Sequence, residues 1–284
     1  MGILVMAENL FSGGVGGQYP GHTITAEEEP SGNEAYRVAT ARRAGTNKAT
    51  ATTANSPWWV RSVFDRVRAH NCCILDRGHN LGGKTLELRT TLDATDFTGT
   101  FETAFDITLP SISMPGGIDN GLGVVTEEGA WIKRYGTRTG KAIELFIDAM
   151  GANLKPEIVG LYVGLAVEFD YFEEPGADET FELLSLVVHT ESGWIGRGRR
   201  TKRRRGEFRI KLTTQAEYEE DARLQVMGLF ADGVPMWIVP NTNDASRAFL
   251  AVVPPEAIVA ATFPPEWPAR EVVIPFVEHE PRSY

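Results

Sequence analysis

The densest chemical feature of this sequence is a basic run of nine residues, from Arg197 to Arg205. Its seven basic members are Arg197, Arg199, Arg200, Lys202, Arg203, Arg204 and Arg205. Such a run can bind phosphates with release of counterions, or it can meet an acidic protein surface. The whole chain has a net charge of −10, and no aromatic residue interrupts the run as binding of a single-stranded nucleic acid would require. We therefore predict contact with an acidic neighbouring subunit, ahead of a solvated hairpin tip and, third, a nucleic acid.

Other residues of catalytic type are present but lack the spacings that catalysis needs. The five histidines follow no metal-binding motif, and no Gly-x-Ser-x-Gly turn marks a nucleophilic serine. Glu27-Glu28-Glu29 and Glu173-Glu174 are adjacent residues, which face opposite ways on an extended chain and cannot flank one bond. We predict that the protein is not an enzyme and has no catalytic residue, no metal and no cofactor.

Two adjacent pairs, Cys72-Cys73 and Trp58-Trp59, are interpreted through strand alternation. Neighbouring residues of a strand point to opposite faces, so a disulfide between the two cysteines would need unusual geometry. These are the only cysteines of the chain, which makes them a poor zinc site. We expect one cysteine in the core and one facing outward. The same holds for the tryptophans, and the outward ring could stack on a sugar or on another subunit.

Strands must position these residues, and alternation of apolar and polar residues predicts several in the first half of the chain. The turn residues Gly82-Gly83 separate two of them, and Asp65-Arg66 and Asp76-Arg77 are expected to form ion pairs at a sheet edge. The predicted strands are Trp58–Val63, Cys72–Asp76, Thr85–Arg89, Ala130–Tyr135, Ala142–Ile147 and Pro156–Gly164.

The length of 284 residues predicts two domains. We place the first at 1–168, an acidic, turn-rich linker at 169–179, and the second at 180–284. A helix is predicted at 214–231, begun by Thr213 or Thr214 with Glu217 completing a capping box. Strands are predicted at Leu183–His189, Phe208–Leu212, Pro235–Pro240, Phe249–Val253 and Glu271–Phe276. The predicted fold class is mainly β, and neither a signal peptide nor a membrane-spanning helix is expected.

The order of parts in residues 8–168 resembles a discoidin-type (coagulation factor 5/8 type C), galactose-binding-like jelly roll. The matching parts are Asn9-Leu10, the segment Thr25–Glu29, the aromatic-led strand at Trp58, the apolar strand at Cys72 and the glycine bend. The resemblance implies a β-sandwich that binds sugars or membranes through loops at one end. Here those loops are 25–33, 42–55 and 93–100.

Within these loops, Arg42, Arg43 and Lys48 give the middle one a cationic character. Together with Trp59 they are the candidate ligand-binding residues that the resemblance implies. The disulfide that usually joins the ends of this family's domain is absent, since the chain has only Cys72 and Cys73. Its absence fits assembly inside a cell and argues against a secreted lectin.

Residues 180–280 resemble the small β domain of distal-tail and minor tail proteins of long-tailed bacteriophages. The parts that match are the strand ending in the basic run, Phe208–Leu212, the Thr-initiated helix, Pro235–Pro240 and the last strand, which ends at Glu278. The resemblance implies a structural protein of the tail tip or baseplate, assembled in the host cytoplasm into the virion tail. Its partners would be tape-measure, hub or tube subunits and further copies of itself. The alternative is a carbohydrate- or receptor-binding protein that recognises a bacterial cell-surface glycan.

Overall fold

The structure, a computed structural model, describes sixteen stretches of the chain. They are residues 2–12, 22–27, 49–54, 56–93, 97, 99–112, 116–118, 121–127, 129–151, 153–171, 180–189, 195–212, 234–254, 260–262, 270–279 and 282–283. Within them the fold is mainly β, as predicted, and the strand pairs are antiparallel. The strands are β1 Gly2–Met6, β2 Thr23–Ala26, β3 Ala49–Thr50, β4 Trp58–Leu75, β5 Thr85–Thr91, β6 Glu102–Thr108, β7 Val124–Val125, β8 Trp131–Ile147, β9 Glu157–Ile158, β10 Leu161–Gly164, β11 Ala166–Tyr171, β12 Thr180–His189, β13 Ile195–Leu212, β14 Met236–Val239, β15 Phe249–Val252, β16 Ala260–Thr262, β17 Arg270–Glu278 and β18 Arg282–Ser283.

The chain forms two compact units. The jelly-roll unit comprises Glu8–Val167 and Asn241–Ala248, and the barrel unit comprises Met1–Ala7, Glu168–Pro240 and Phe249–Tyr284.

Two long strands, β4 and β8, organise the jelly-roll unit. They pair along their length, with register shifts between Val63 and Arg68 and between His70 and Cys72. Strand β2 flanks the first half of β4 and β10 flanks its second half, while β5 and β7 flank the two halves of β8. One core takes side chains from both halves, including Trp58, Leu75, Trp131 and Leu145. The long strands therefore organise one seven-stranded sheet around this core, as in a jelly-roll β-sandwich.

Four of the predicted strands are halves of these two long ones. Strand β4, which ends at Leu75, contains Trp58–Val63 and most of Cys72–Asp76. Strand β8, which begins at Trp131, contains most of Ala130–Tyr135 and all of Ala142–Ile147. The polar stretch between the halves of β4 favours a turn by composition. Backbone pairing of 68–70 with 138–140 continues there because exposed polar side chains do not interrupt the ladder.

Three asparagines join the segment 155–166 to the rest of the sandwich. Asn71 bonds both backbone groups of Ala166, with Nδ2 donating to the carbonyl at 3.0 Å and Oδ1 accepting from the amide at 2.7 Å. Asn80 bonds Lys155 O and Glu157 N in the same way, both at 2.8 Å. Asn9 Oδ1 accepts from Val163 N at 3.2 Å. Each side-chain amide thereby satisfies buried or edge backbone groups as a neighbouring strand would.

The barrel unit is built around β13. This strand pairs with β11 at Ile210 and Lys211 and with β17 from Arg205 to Leu212, so the order β13-β11-β1-β14-β15-β17 closes on itself. Phe208, Phe249 and Phe276 meet in its core, with the rings of Phe208 and Phe276 stacked at 4.4 Å between centroids. The pairing of β12 with residues 195–205 extends this sheet as a two-stranded ribbon.

The unit boundaries differ from the predicted ones in three places. Residues 1–7 belong to the barrel unit because the apolar strand β1 pairs with β14, Leu4 opposite Val239. Residues 169–171 form the end of β11 and are not part of a linker. Asn241–Ala248 returns to the jelly-roll unit, where Ile118 N donates to Thr242 O at 3.0 Å. The predicted helix at 214–231 lies outside the described residues.

Candidate functional site

The outward face of the sheet formed by β4, β8, β5 and β6 carries a set of charged and aromatic side chains, which we call the guanidinium ladder. Alternation sends Trp58, Val60, Leu88 and Leu145 into the core and their strand neighbours outward. The register then places Glu144 directly opposite Arg61 on one side and Arg89 on the other. The ladder consists of Trp59, Arg61, Glu87, Arg89, Phe97, Phe101, Thr103, Glu144 and Phe146.

Glu144 is the centre of the ladder and is only 2% exposed. Its Oε2 accepts from Arg61 Nη2 at 2.7 Å and from Arg61 Nε at 3.2 Å, and its Oε1 accepts from Arg89 Nη1 at 3.3 Å. Arg89 Nε also donates to Glu87 at 2.8 Å, and Thr103 Oγ1 donates to the other oxygen of Glu87 at 2.7 Å. Two guanidinium groups and two carboxylates thus neutralise one another at a largely covered surface, as buried charges require.

Each guanidinium also contacts two aromatic rings. The Arg61 carbon Cζ is 4.4 Å from the ring centroids of both Trp59 and Phe97. Arg89 lies 4.0 Å from the centroid of Phe146 and 4.8 Å from that of Phe101. Such cation–π contacts gain strength as water is excluded.

The electrostatics of the ladder favour the charged forms of Glu87 and Arg89. Burial raises the pKa of Glu87, but hydrogen bonds from Arg89 and Thr103 outweigh it, so the pKa lies below its usual value. Burial lowers the pKa of Arg89, and the adjacent carboxylates of Glu87 and Glu144 more than compensate, so that pKa lies above its usual value. The ladder offers fixed donors and half-buried aromatic surface, which are groups for holding a ligand or another protein rather than for moving protons.

Trp59 is the one predicted ligand-binding residue that the described part of the chain contains. It is half-buried in the ladder, whereas Trp58 is 1% exposed in the core, so alternation predicted this pair correctly. Arg42, Arg43 and Lys48 lie outside the described residues, as do most residues of the predicted loops 25–33 and 42–55.

The basic run lies in the body of strand β13 and not at a hairpin tip. Its residues pair with β12, Arg205 opposite Thr180 and Arg197 opposite Val187, and the connection at 190–194 lies outside the described residues. Arg205 is exposed and Arg203 is half-buried. Arg204 was predicted to lie at an interface, but it is only 3% exposed. Its guanidinium lies 4.9 Å from the Phe249 ring centroid, and its backbone N–H donates to buried Glu278 at 3.1 Å.

The predictions for the cysteine pair and for Asp76 are wrong, because these residues are buried. Cys72 and Cys73 are both free thiols with no exposed surface, so neither faces outward, and burial raises the pKa of Cys73. Asp76 directly follows the central strand β4, is 1% exposed and accepts from Arg77 N at 2.8 Å, so it does not lie at a sheet edge. Asp65 is exposed and forms an ion pair with Arg68 at 3.4 Å, whereas the predicted partner was Arg66.

A buried polar pair in the jelly-roll core was not predicted. His70 Nδ1 lies 2.6 Å from the Tyr135 hydroxyl, beside the register shift of β4. Burial, reinforced by the positive charge of Arg138, lowers the pKa of His70 to about 4.

No group of His, Cys, Asp and Glu in the described part of the chain could hold a metal ion, and no helix there is long and apolar enough to cross a membrane.

No protein-family model and no curated protein matches the chain. Among solved structures, it is similar to chitosan-binding module 1 of a Paenibacillus sp. IK-5 chitosanase/glucanase, at 14% identity over 55% of this chain and 98% of that chain, with a TM-score of 0.39. It is also similar to CpGH89CBM32-5 of Clostridium perfringens in complex with GalNAc-β-1,3-galactose, at 12% identity over 51% and 95%, with a TM-score of 0.38. A Ruminococcus gnavus fucosidase in complex with fucose matches at 8% identity over 56% of this chain and 27% of its own, with a TM-score of 0.41.

Proposed function

We propose that the protein is a non-enzymatic structural component of a bacteriophage tail tip or baseplate, a minor or distal tail protein of the virion tail. The observation that carries this proposal is the two-stranded ribbon of the barrel unit. We call Thr180–His189 with Ile195–Arg205 the basic ribbon. Among the described residues, the backbone of β12 pairs with β13 alone, which leaves the other edge of β12 open.

An open edge of this length favours assembly with another chain. Strand β12 has ten residues, TFELLSLVVH, and contains neither proline nor lysine, the residues that commonly protect an edge. Its outward N–H and C=O groups can therefore pair with a strand of a neighbouring subunit. Partners of this kind are other tail proteins, such as tape-measure, hub or tube subunits, and further copies of the chain.

The strands on which the resemblance to tail proteins rests support the same proposal. The segments Leu183–His189, Phe208–Leu212 and Met236–Val239 lie in β12, β13 and β14, and the last strand ends at Glu278 in β17. All of these strands belong to one sheet.

The edge is tested with two separate proline substitutions, Leu183→Pro and Leu184→Pro. Adjacent residues of a strand point their N–H groups to opposite edges, so one variant removes an outward donor while the other breaks the bond to β13. The protein is expressed with the tail proteins encoded beside it and examined by electron microscopy. We expect rings or connectors with the unchanged chain and none with the proline variant that retains the wild-type melting temperature. Normal assembly of both folded variants, or absence of the chain from purified virions, would contradict the proposal.

Carbohydrate recognition by the jelly-roll unit is the second candidate function. The half-buried rings of Trp59, Phe101 and Phe146 on the guanidinium ladder favour it, because aromatic surface beside fixed donors can hold a sugar ring. The resemblance to a discoidin-type module agrees with it. A glycan array should show a ligand whose binding is lost in Trp59→Ala and kept in Trp59→Phe, at equal melting temperature. Retention of every glycan signal by Trp59→Ala would exclude the ladder as the sugar site.

A further inference from the structure

The buried side chain of His70 has one ring nitrogen bonded and one that remains to be explained. Its Nδ1 lies 2.6 Å from the Tyr135 hydroxyl. This distance is shorter than the usual range for an N–H donor and an oxygen acceptor, which starts at about 2.7 Å, and it is typical of an O–H donor. Burial raises the pKa of Tyr135, so the hydroxyl keeps the proton that it donates. Nδ1 is therefore the acceptor, and the single proton of the neutral imidazole is on Nε2.

This Nε2–H group and the Nε–H group of Arg138 are two buried donors on one face of the sheet. Neither nitrogen has a hydrogen-bond partner among the described residues. The register places Arg138 of β8 directly opposite His70 of β4. Directly opposite side chains point to the same face, with Cβ atoms about 4.5–5.5 Å apart. Two donors cannot bond each other, so both need an acceptor that the described residues do not supply.

Arg138 connects the buried donors to the surface. Its side chain is 42% exposed, and its strand neighbours Gly136, Thr137 and Thr139 are exposed. The nearby carboxylate belongs to Glu102, whose Oε2 is 3.8 Å from Arg138 Nη1 and whose side chain is 71% exposed. That separation exceeds hydrogen-bond distance, so Glu102 is a weak competitor for the guanidinium and does not serve Nε.

We propose that His70 Nε2 and Arg138 Nε form a binding site for an oxyanion. Arg138 supplies the positive charge and a planar group that suits carboxylate and phosphate oxygens. His70 supplies a second, uncharged donor whose direction is fixed by its bond to Tyr135. The shared ligand chemistry is that of a free phosphate ion and of the carboxylate of an acidic sugar. Neither residue belongs to the guanidinium ladder, so the site is separate from both proposed functions.

The test follows the His70 imidazole by proton–nitrogen NMR spectroscopy of the purified full-length protein near neutral pH. The protein is titrated at constant ionic strength with inorganic phosphate, with glucuronate and, as an uncharged control, with glucose. We expect the proton on Nε2 in the free protein and a saturable shift of that signal with at least one anion, but none with glucose. A shift with glucuronate alone would identify an acidic sugar as the source of the oxyanion, and a shift with phosphate alone an inorganic ion.

Three single substitutions test the site itself. Arg138→Gln should weaken anion binding at least about tenfold, because a charge-assisted hydrogen bond is lost. Lys155→Gln removes the same charge from an exposed lysine and should bind as the unchanged chain does. Glu102→Gln removes the competing carboxylate and should tighten binding about two- to fivefold.

The melting temperature of each variant shows whether it folds, and if Arg138→Gln does not, the exposed substitution Glu102→Gln decides the test. Absence of a saturable shift with either anion would overturn the proposal and leave water as the acceptor. A proton found on Nδ1, or equal weakening by Arg138→Gln and Lys155→Gln, would overturn it as well.

Discussion

Glu144 shows how one side chain can determine the stability of a sheet face. It accepts hydrogen bonds from two arginines on the two neighbouring strands and is 2% exposed. Removing its charge leaves Arg61 without its carboxylate, and leaves Arg89 with Glu87 alone. A half-covered guanidinium that loses its acceptor retains its desolvation cost without the compensating attraction.

We therefore expect Glu144→Gln to lower the free energy of unfolding by about 3 kcal/mol, measured by urea denaturation. The matched control is Glu102→Gln, whose carboxylate is exposed and lies 3.8 Å from Arg138. Such an exposed pair contributes about 0–1 kcal/mol, so the control should unfold almost as the unchanged chain does. Equal effects of the two substitutions would show that the ladder does not stabilise the sheet.

His70 should make the jelly-roll unit sensitive to acid. Its pKa is about 4 in the folded chain against a usual value of 6.5, so between these values the unfolded chain binds more protons than the folded one. The contribution of His70 is therefore fully present above about pH 6.5 and is lost as the pH falls towards 4, by about 3 kcal/mol in all. Burial also lowers the pKa of His22 and, to about 4, that of His79, which adds to the same trend.

The substitution His70→Gln removes the titrating group and keeps a polar atom near Tyr135. We expect the unfolding midpoint in urea to fall between about pH 7 and about pH 5 in the unchanged chain, and to fall less in this variant. Identical slopes in the two proteins would show that His70 does not govern the acid response.

At the scale of elements, the asparagine side chains that hydrogen-bond the backbone of 155–166 determine how firmly this segment is held in the sandwich. Asn71 supplies both hydrogen bonds to Ala166, while Asn80 serves Lys155 and Glu157 in a more exposed setting. We expect Asn71→Leu to destabilise the chain by about 2–4 kcal/mol because two buried backbone groups lose their partners. Asn80→Leu should cost less, because water can replace its bonds. Thermal unfolding of the two variants compares them, and the reverse order of stability would refute this account.

Alternation predicted the positions of strands well but could not predict their continuity. The segments at Trp58, Thr85, Trp131 and Ala142 are strands as expected. The joining of halves into β4 and β8 depends on pairing between residues about seventy positions apart in sequence, which composition does not contain. The same limit applies to β1, whose partner β14 lies more than two hundred residues later.

Of the candidate site, the sequence identified Trp59 alone. The other ladder residues had a recognisable signal, since Glu87 and Arg89 alternate with leucines in Thr85–Arg89 and Glu144 is the one charge in Ala142–Ile147. Which charges meet is decided by the register of β4, β8 and β5, and a shift of one residue would place them on the other face. Burial of both cysteines likewise depends on what covers each face of β4, which alternation cannot specify.

At the scale of the whole molecule, the jelly-roll unit is discontinuous in the chain. Its segment Asn241–Ala248 contains a short 3-10 helix at Ala245–Arg247, whose N-cap Asp244 accepts from Ser246 N at 3.2 Å. Three backbone hydrogen bonds join the segment to the loops of the unit, from Ile118 to Thr242, from Ala245 to Gly116 and from Glu127 to Ser246, at 2.9–3.1 Å.

Replacing residues 241–248 of the full-length chain by a Gly/Ser linker of equal length should therefore loosen these loops without unfolding the sandwich. Each lost bond contributes about 0.5–1.5 kcal/mol, so hydrogen exchange at the amides of Ile118 and Glu127 should accelerate by about an order of magnitude or more. The amide of Glu157, which is bonded to Asn80 in a different part of the unit, serves as the internal control. Equal acceleration at all three amides would mean that the segment supports the whole unit. No acceleration at Ile118 and Glu127 would mean that the loops hold their shape alone and that the return of the chain to this unit does not stabilise it.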